Sequence, residues 1–277
     1  VAKARGLFEE GGLDVQITMT PNSTDQMRGL GAGTWDIAST AFDNVLGWSG
    51  REAAEIVAVA QVADRILLPV VVRPEIKHWS DLQGKKLAVD AVDTAYALVL
   101  RRVLQAHDLD MDRGDYELVP VGATQHRVES TTKGDTFAGI LNPPWDGKAA
   151  SAGMVRFADH REVLPDDPGG VFAVTRAWLA GRRGDLVRFL KLWLTALRWV
   201  NDRANRGEAV KLIAANQGIN EESATRQLVR LPASGDMNLK DLGGVLDLRV
   251  RFGLVPSKGK KLSVYYDPAP YQEALKA

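Results

Sequence analysis

The chain has 277 residues, of which 45% are hydrophobic and 25% charged, and its 35 Lys and Arg residues balance its 35 Asp and Glu residues. This balance leaves no basic surplus for binding nucleic acid or an anionic membrane, and a chain of this length is expected to form two lobes. Cysteine is absent, which excludes a disulfide framework, a thiolate zinc site and a cysteine nucleophile.

The first 72 residues predict a helical turn followed by alternating strands and helices. Residues 1–10 are helical in composition, with neither an initiator Met nor a signal peptide, and we expect the complete protein to start earlier. Val15, Ile17 and Met19 alternate with polar residues, which predicts a strand over 14–20. We predict further strands at 36–40, 56–62 and 67–72, and helices starting at 23 and 43.

A second block of alternating elements follows Pro74, and a helical tail follows Gly184. In the second block we predict strands at 85–89, 116–120, 136–141 and 171–175, with helices at 94–107, 124–133 and 143–152. In the tail we predict helices at 186–202, 208–216, 221–231 and 239–252.

This alternation predicts an α/β protein of two lobes, each with a parallel sheet flanked by helices. The simplest path assigns 1–72 and 174–277 to lobe one and inserts 73–173 as lobe two. The two chain crossings between the lobes would form a two-segment hinge. Ligands of open α/β sheets bind at the carboxyl ends of the strands, so we expect a binding cleft between the lobes.

Several motifs, in order, resemble one known family. They are AKARGLFEEGGLDVQI at 2–17, LGAGTWDIAST at 30–40, WSDLQGKKLAVD at 79–90, LNPPWD at 141–146 and Tyr266-Asp267-Pro268 with Tyr271. Together they resemble the solute-binding proteins of ABC importers of the sulfonate, nitrate and thiamine-precursor type.

The resemblance implies a class II periplasmic binding protein fold, with a first strand before residue 1. It also implies a small-molecule solute in the cleft, no cofactor, and a permease with its ATPase as partners. The implied location is periplasmic or otherwise extracytoplasmic, as a soluble or lipid-anchored protein, and we expect a monomer.

The chain departs from the family at the loop that follows residues 85–89. Many members carry Gly and Ser there and hold an anion at a helix start, whereas this loop carries Asp90 and Asp93. We therefore hypothesise a ligand with a cationic, amine or hydroxyl-rich group held by acidic side chains between aromatic walls. The predicted ligand-binding residues are Thr40, Phe42, Asp43, Asn44, Asp90, Asp93, Thr94, Tyr96, Asn142, Trp145 and Asp146.

Other interpretations of these residues stay open. Asp43, Asp93 and Thr94 are also suitable helix caps, and Tyr96 and Trp145 are also suitable core residues. An enzyme on the same fold is an alternative, but zinc, nucleophile-elbow and phosphate-loop motifs are absent, and the enzymes of this fold that resemble the chain depend on cysteine. A ligand-sensing domain of a regulator is the other alternative. We therefore expect a transport receptor and not an enzyme.

Overall fold

A computed structural model describes residues 1–229 and 231–276. Its strands are β1 (Ala38–Thr40), β2 (Ile56–Gln61), β3 (Pro69–Val72), β4 (Lys85–Val89), β5 (Tyr116–Pro120), β6 (Ala138–Ile140), β7 (Val155–Asp159) and β8 (Val171–Thr175). Its α-helices are α1 (Leu7–Glu10), α2 (Ser23–Gly31), α3 (Phe42–Trp48), α4 (Ala95–Gln105), α5 (Thr124–Lys133), α6 (Trp145–Ser151), α7 (Arg176–Asn201), α8 (Arg206–Gln217), α9 (Glu221–Leu228), α10 (Leu239–Arg251) and α11 (Ala269–Lys276).

A three-stranded sheet in the order β1-β8-β2 forms the centre of one lobe, with β8 antiparallel to both neighbours. Successive β2 side chains point to opposite faces. Ile56 packs with α2, α3 and α10, while Val57 packs with α7 and α11. Helices therefore cover both faces, which explains why β2 is a continuous apolar run.

A five-stranded sheet in the order β5-β4-β6-β3-β7 forms the centre of the other lobe. Strand β4 is parallel to β5 and β6, whereas β3 is antiparallel to β6 and β7. Helix α4 packs on one face, and α5 and α6 contribute to a smaller cluster on the other. The expectation of parallel sheets thus holds only for β5-β4-β6, because β3 enters this sheet from the other lobe in the opposite direction.

Sheet membership locates the two chain crossings. Residues 69–72 belong to the five-stranded sheet and residues 171–175 to the three-stranded sheet. Between them, Arg65 and Pro168 form an isolated bridge, and the Gly169 N–H donates to the Asp64 carbonyl at 3.2 Å. We propose these paired crossings, 62–68 and 160–170, as the hinge, which sets the lobe boundaries a few residues away from 72 and 173.

Some elements of the structure differ from the prediction. The strand predicted at 14–20 does not form, because no described strand pairs with the segment. Val15 packs against a small cluster with Phe8, whereas Ile17 and Met19 are 68% and 90% exposed. Strand β7 was not predicted, since it is a partly exposed edge strand without a clear apolar alternation. Helix α9 ends at Leu228, and residue 230 of the predicted helix lies outside the described residues.

No helix among the described residues is long and apolar enough to cross a bilayer.

Candidate functional site

The two lobes meet along a cleft whose floor holds a small, mainly apolar cavity. Phe42 and Val245 line it from lobe one, Tyr96 and Val99 from lobe two, and Leu68 from the hinge. Its volume of about 20 Å³ has room for about one water molecule, whereas organic ligands occupy sites of roughly 300 Å³ or more. An organic ligand therefore requires the lobes to separate from this closed arrangement.

A buried ion pair lies beside this cavity. Asp43, in the first turn of α3, accepts a hydrogen bond from Arg249 Nη1 at 2.8 Å, and both side chains are about 5% exposed or less. Burial raises the pKa of Asp43 to about 6, although the Arg249 charge acts in the opposite direction. Asp43 therefore has a cationic partner within the protein and is not an N-cap, because Ala41 occupies that position.

Arg249 was not among the predicted site residues, although the sequence contains a signal for it. Leu242, Val245, Leu246 and Arg249 follow the i, i+3, i+4, i+7 spacing that places residues on one face of a helix. All four are buried. An arginine on an otherwise apolar face needs a partner in the interior, and Asp43 is that partner.

The loop between β4 and α4 connects lobe two to lobe one. Asp90 accepts hydrogen bonds from the Ser23 hydroxyl of lobe one at 2.9 Å and from the Thr94 hydroxyl at 2.5 Å. Asp93 pairs with Arg51 of lobe one at 3.4 Å, and its carbonyl accepts a hydrogen bond from Arg249 Nη1 at 3.1 Å. The acidic loop thus makes direct contacts between the closed lobes.

The helix-cap interpretation does not describe this loop. Thr94 occupies the N-cap position of α4 but makes no capping hydrogen bond with its side chain. Its hydroxyl instead donates to Asp90 and to the Ala91 carbonyl. The Asp93 side chain faces Arg51. These polar groups hold the shape of the loop and its contact with lobe one.

The remaining predicted residues form local contacts around the cleft. Thr40 and Asn44 are buried, and the Asn44 amide donates to the Thr40 hydroxyl at 2.9 Å. Trp145 and Asp146 begin α6, are partly exposed and do not line the cavity. The Lys148 ammonium lies 4.1 Å from the Trp145 ring centroid. The structure therefore brings Phe42, Asp43 and Tyr96 to one cavity, but not the α6 pair.

Two further titratable groups lie at the hinge. His160 is fully buried, and its Nδ1 accepts a hydrogen bond from the Leu68 N–H at 3.3 Å. The ring proton therefore belongs on Nε2, which lies 3.4 Å from Asp167 Oδ2. Burial lowers the pKa of His160 to about 4 and raises the pKa of Asp167 to about 7, the latter with a contribution from the Asp43 charge. Asp167 also lines the cavity.

A polar cluster lies at the carboxyl edge of β4, β5 and β6. Arg127 of α5 is 2% exposed, and its Nη2 donates to the Thr124 hydroxyl at 2.5 Å. That hydroxyl donates to Asn142 Oδ1 at 2.7 Å. The guanidinium carbon lies 5.2 Å from the centroid of the Tyr96 ring. Arg127 was also missed from the sequence, although α5 offers few apolar residues for packing on the sheet.

Comparisons with known proteins identify the family. The family model described as NMT1-like family matches residues 1–214. The chain belongs to the NMT1-like family. A candidate binding protein of Brucella abortus (strain 2308) is 27% identical to this NMT1-like protein over 287 residues, covering 98% of this chain and 84% of the relative.

Solved structures share the fold of this NMT1-like protein. The alkanesulfonate-binding protein SsuA from Xanthomonas axonopodis pv. citri, bound to MOPS, has a TM-score of 0.79 at 18% identity, covering 96% of this chain and 93% of that one. The periplasmic nitrate-binding protein NrtA from Synechocystis PCC 6803 has a TM-score of 0.80 at 12% identity, covering 99% and 84%. The desulfurization enzyme DSZB has a TM-score of 0.69 at 17% identity, covering 99% and 94%.

The predicted family and the two-lobed α/β fold of a class II periplasmic binding protein are therefore confirmed. At these identities the solved structures establish the fold alone, and the fold is shared by binding proteins and by an enzyme.

Proposed function

We propose that this protein is an extracytoplasmic solute-binding protein. It captures a small organic molecule between its lobes and delivers it, as a monomer, to an ABC permease and its ATPase. The observation that carries this proposal is the cleft itself, in which side chains from both lobes meet around one cavity at a two-segment hinge. The names of the SsuA and NrtA neighbours support the same role.

Closure provides the mechanism. A solute that touches both lobes stabilises the closed form by the difference between its affinities for the closed and open forms. Ser23–Asp90 and Arg51–Asp93 already connect the two lobes, so the solute adds to contacts that the protein makes by itself. The permease would then recognise the closed arrangement of the lobe tips.

We propose binding and not catalysis. The chain has no cysteine, and the described residues contain no cluster of three His, Asp or Glu side chains suited to a metal ion. Within the cleft, the carboxylates of Asp43 and Asp93 face Arg249 and Arg51. These pairs suit lobe closure, since each carboxylate already has a positively charged partner within the protein.

A thermal-shift screen of small organic acids, amines, amino acids, polyols and pyrimidines tests the proposal. A solute at 100 times its Kd adds about 2.7 kcal/mol to the free energy of unfolding, which raises Tm by several degrees. We expect at least one class to give this shift and Asp90→Asn to reduce it. Asp135→Asn, at an exposed position of lobe two, is the matched control and should not. Turnover of the bound solute, detected by mass spectrometry, would contradict the binding role.

A further inference from the structure

Arg127 and Asp90 are a cation and an anion at the cleft edge of lobe two, and neither lies in direct contact with an opposite charge among the described residues. Within the described residues neither makes an ion pair, and Arg127 Nε and Nη1 have no hydrogen-bond partner. Asp90 accepts only hydroxyl hydrogen bonds, from Ser23 and Thr94. A buried guanidinium with two unused donors is costly for a protein, because each such donor has lost its water without a replacement.

The position of Arg127 connects these donors to the cleft. Thr124 binds Asn142 in the loop after β6, and Tyr96 lies in the first turn of α4, after β4. The Tyr96 ring lies against the Arg127 guanidinium, and Tyr96 also lines the cleft cavity. Rotation of the Tyr96 side chain when the lobes open would therefore give a solute access to Arg127.

The charges at this edge define the kind of solute. Asp90 follows β4, and the ring of Tyr96 in the next helix lies against the Arg127 guanidinium, so the two charged groups share one edge of the sheet. Burial lowers the pKa of Arg127, and the Asp90 charge acts in the opposite direction. A simple anion at Arg127 would leave Asp90 uncompensated, and a simple cation at Asp90 would do the same to Arg127. A solute with both charges satisfies both residues at once.

Resting on the function proposed above, we propose that the solute is a small zwitterion such as an ω-amino acid. Its carboxylate accepts a charge-assisted hydrogen bond from the free Nε or Nη1 of Arg127, and its ammonium group binds Asp90. These two donors point to different edges of the guanidinium, so each offers a separate charge-assisted hydrogen bond, which is stronger than a bond between neutral groups. The acidic loop thus binds the amine that its sequence suggests, while Arg127 adds an anion site.

The test compares three matched probes by isothermal titration calorimetry: 4-aminobutyrate, butyrate and butylamine. We expect 4-aminobutyrate to bind at least about tenfold more tightly than either single-charge analogue, since each lost charged hydrogen bond weakens binding by about 10- to 100-fold. The homologues glycine and 5-aminovalerate vary the separation of the two charges. Failure of every zwitterion to bind more tightly than its matched analogues overturns the proposal.

Two variants assign the charges. Arg127→Gln should weaken 4-aminobutyrate binding by about 10- to 100-fold and leave butylamine unchanged, whereas Asp90→Asn should weaken butylamine and leave butyrate unchanged. Lys133→Gln removes the same charge from an exposed position on the same helix and should change neither. Arg127→Lys keeps the charge without the guanidinium donors, so it tests the need for a guanidinium if Arg127→Gln does not fold.

The outcomes separate the two proposals. If a neutral or purely cationic solute raises Tm and closes the lobes, the zwitterion proposal is wrong while the binding function stands. Equal affinity of the wild type and Arg127→Lys for 4-aminobutyrate would also overturn the role of the Arg127 guanidinium. If no solute of any class binds, both proposals fail.

Discussion

Replacing Arg249 by Met tests the electrostatics of the cleft. The change leaves the Asp43 carboxylate buried without its cation, and breaking a buried ion pair on one side costs about 3–5 kcal/mol. The side chains of this pair are 4% and 5% exposed, so water can do little to replace the lost partner. The variant also loses the hydrogen bond from Arg249 to the Asp93 carbonyl of lobe two.

The loss of unfolding free energy in Arg249→Met should be larger at high pH than at low pH. The pKa of Asp43 is about 6 with Arg249 in place, and removal of that positive charge raises it further. A raised pKa in the folded state means that stability is lost as pH rises through that value. The free energy of unfolding should therefore fall by about 3–5 kcal/mol at pH 8 and by less at pH 5, where the folded variant protonates Asp43.

Urea unfolding at both pH values measures this effect, with Asp43→Asn and the double variant completing a mutant cycle. The double variant has no buried charge to compensate, so it should be more stable than Arg249→Met alone at pH 8. A loss below about 1 kcal/mol at pH 8, or an equal loss at both pH values, would refute the assignment of Asp43–Arg249 as a buried, charge-compensated pair.

Three further predictions concern the hinge, the lobe-two core and the lobe contact. Because burial raises the pKa of Asp167 to about 7, the contribution of Asp167 to stability falls as pH rises toward 7, whereas that of buried His160, with its pKa lowered to about 4, rises. The stability of Asp167→Asn relative to the wild type should therefore increase by about 2–3 kcal/mol between pH 5 and 8 in urea unfolding. Leu87→Ala, in the fully buried centre of lobe two, should cost about 2–5 kcal/mol by the same assay. Arg51→Gln removes a partly exposed ion pair and should change stability by less than about 1 kcal/mol, yet increase the radius of gyration in small-angle X-ray scattering. An Asp167→Asn variant with the pH profile of the wild type would contradict the first expectation. A loss below about 1 kcal/mol in Leu87→Ala would contradict the second, and an unchanged radius of gyration in Arg51→Gln would contradict the third.

The buried strands could be predicted because their patterns follow from burial alone. Strands β4, β5 and β8 have the bounds predicted from apolar runs between turn residues. Such runs need only a core on one or both faces, and local sequence carries that information. Family motifs spread in order along the chain added what periodicity could not give, namely the class II periplasmic binding protein fold.

The strand predicted at 14–20 shows where periodicity fails. Val15, Ile17 and Met19 alternate as in a half-buried strand, but a strand also needs a hydrogen-bonding neighbour. That neighbour depends on the tertiary arrangement, to which the alternation of a single segment is insensitive. The same limit applies to the direction of β3, because the pattern of a buried strand is similar in parallel and antiparallel pairs.

The cleft was predicted only in part, for a related reason. The acidic side chains stand at strand ends and helix starts, which the sequence makes visible. Arg249, the partner of Asp43, and the buried Arg127 lie on helices far away in the chain, and long-range placement of charges is not encoded in local spacing. The useful signal was a charged residue on a face otherwise expected to be buried, which demands a partner or a ligand.

Lobe closure on a solute is the central claim, and the distance between the lobes measures it directly. Because the chain lacks cysteine, Glu129→Cys on α5 and Arg198→Cys on α7 would give one unique pair of spin labels at exposed positions. Double electron–electron resonance, with and without a saturating solute from the screen, should show a narrower distance distribution, shifted toward the closed arrangement, when solute is bound. Identical distributions in the two samples, with binding verified by calorimetry, would contradict capture between the lobes.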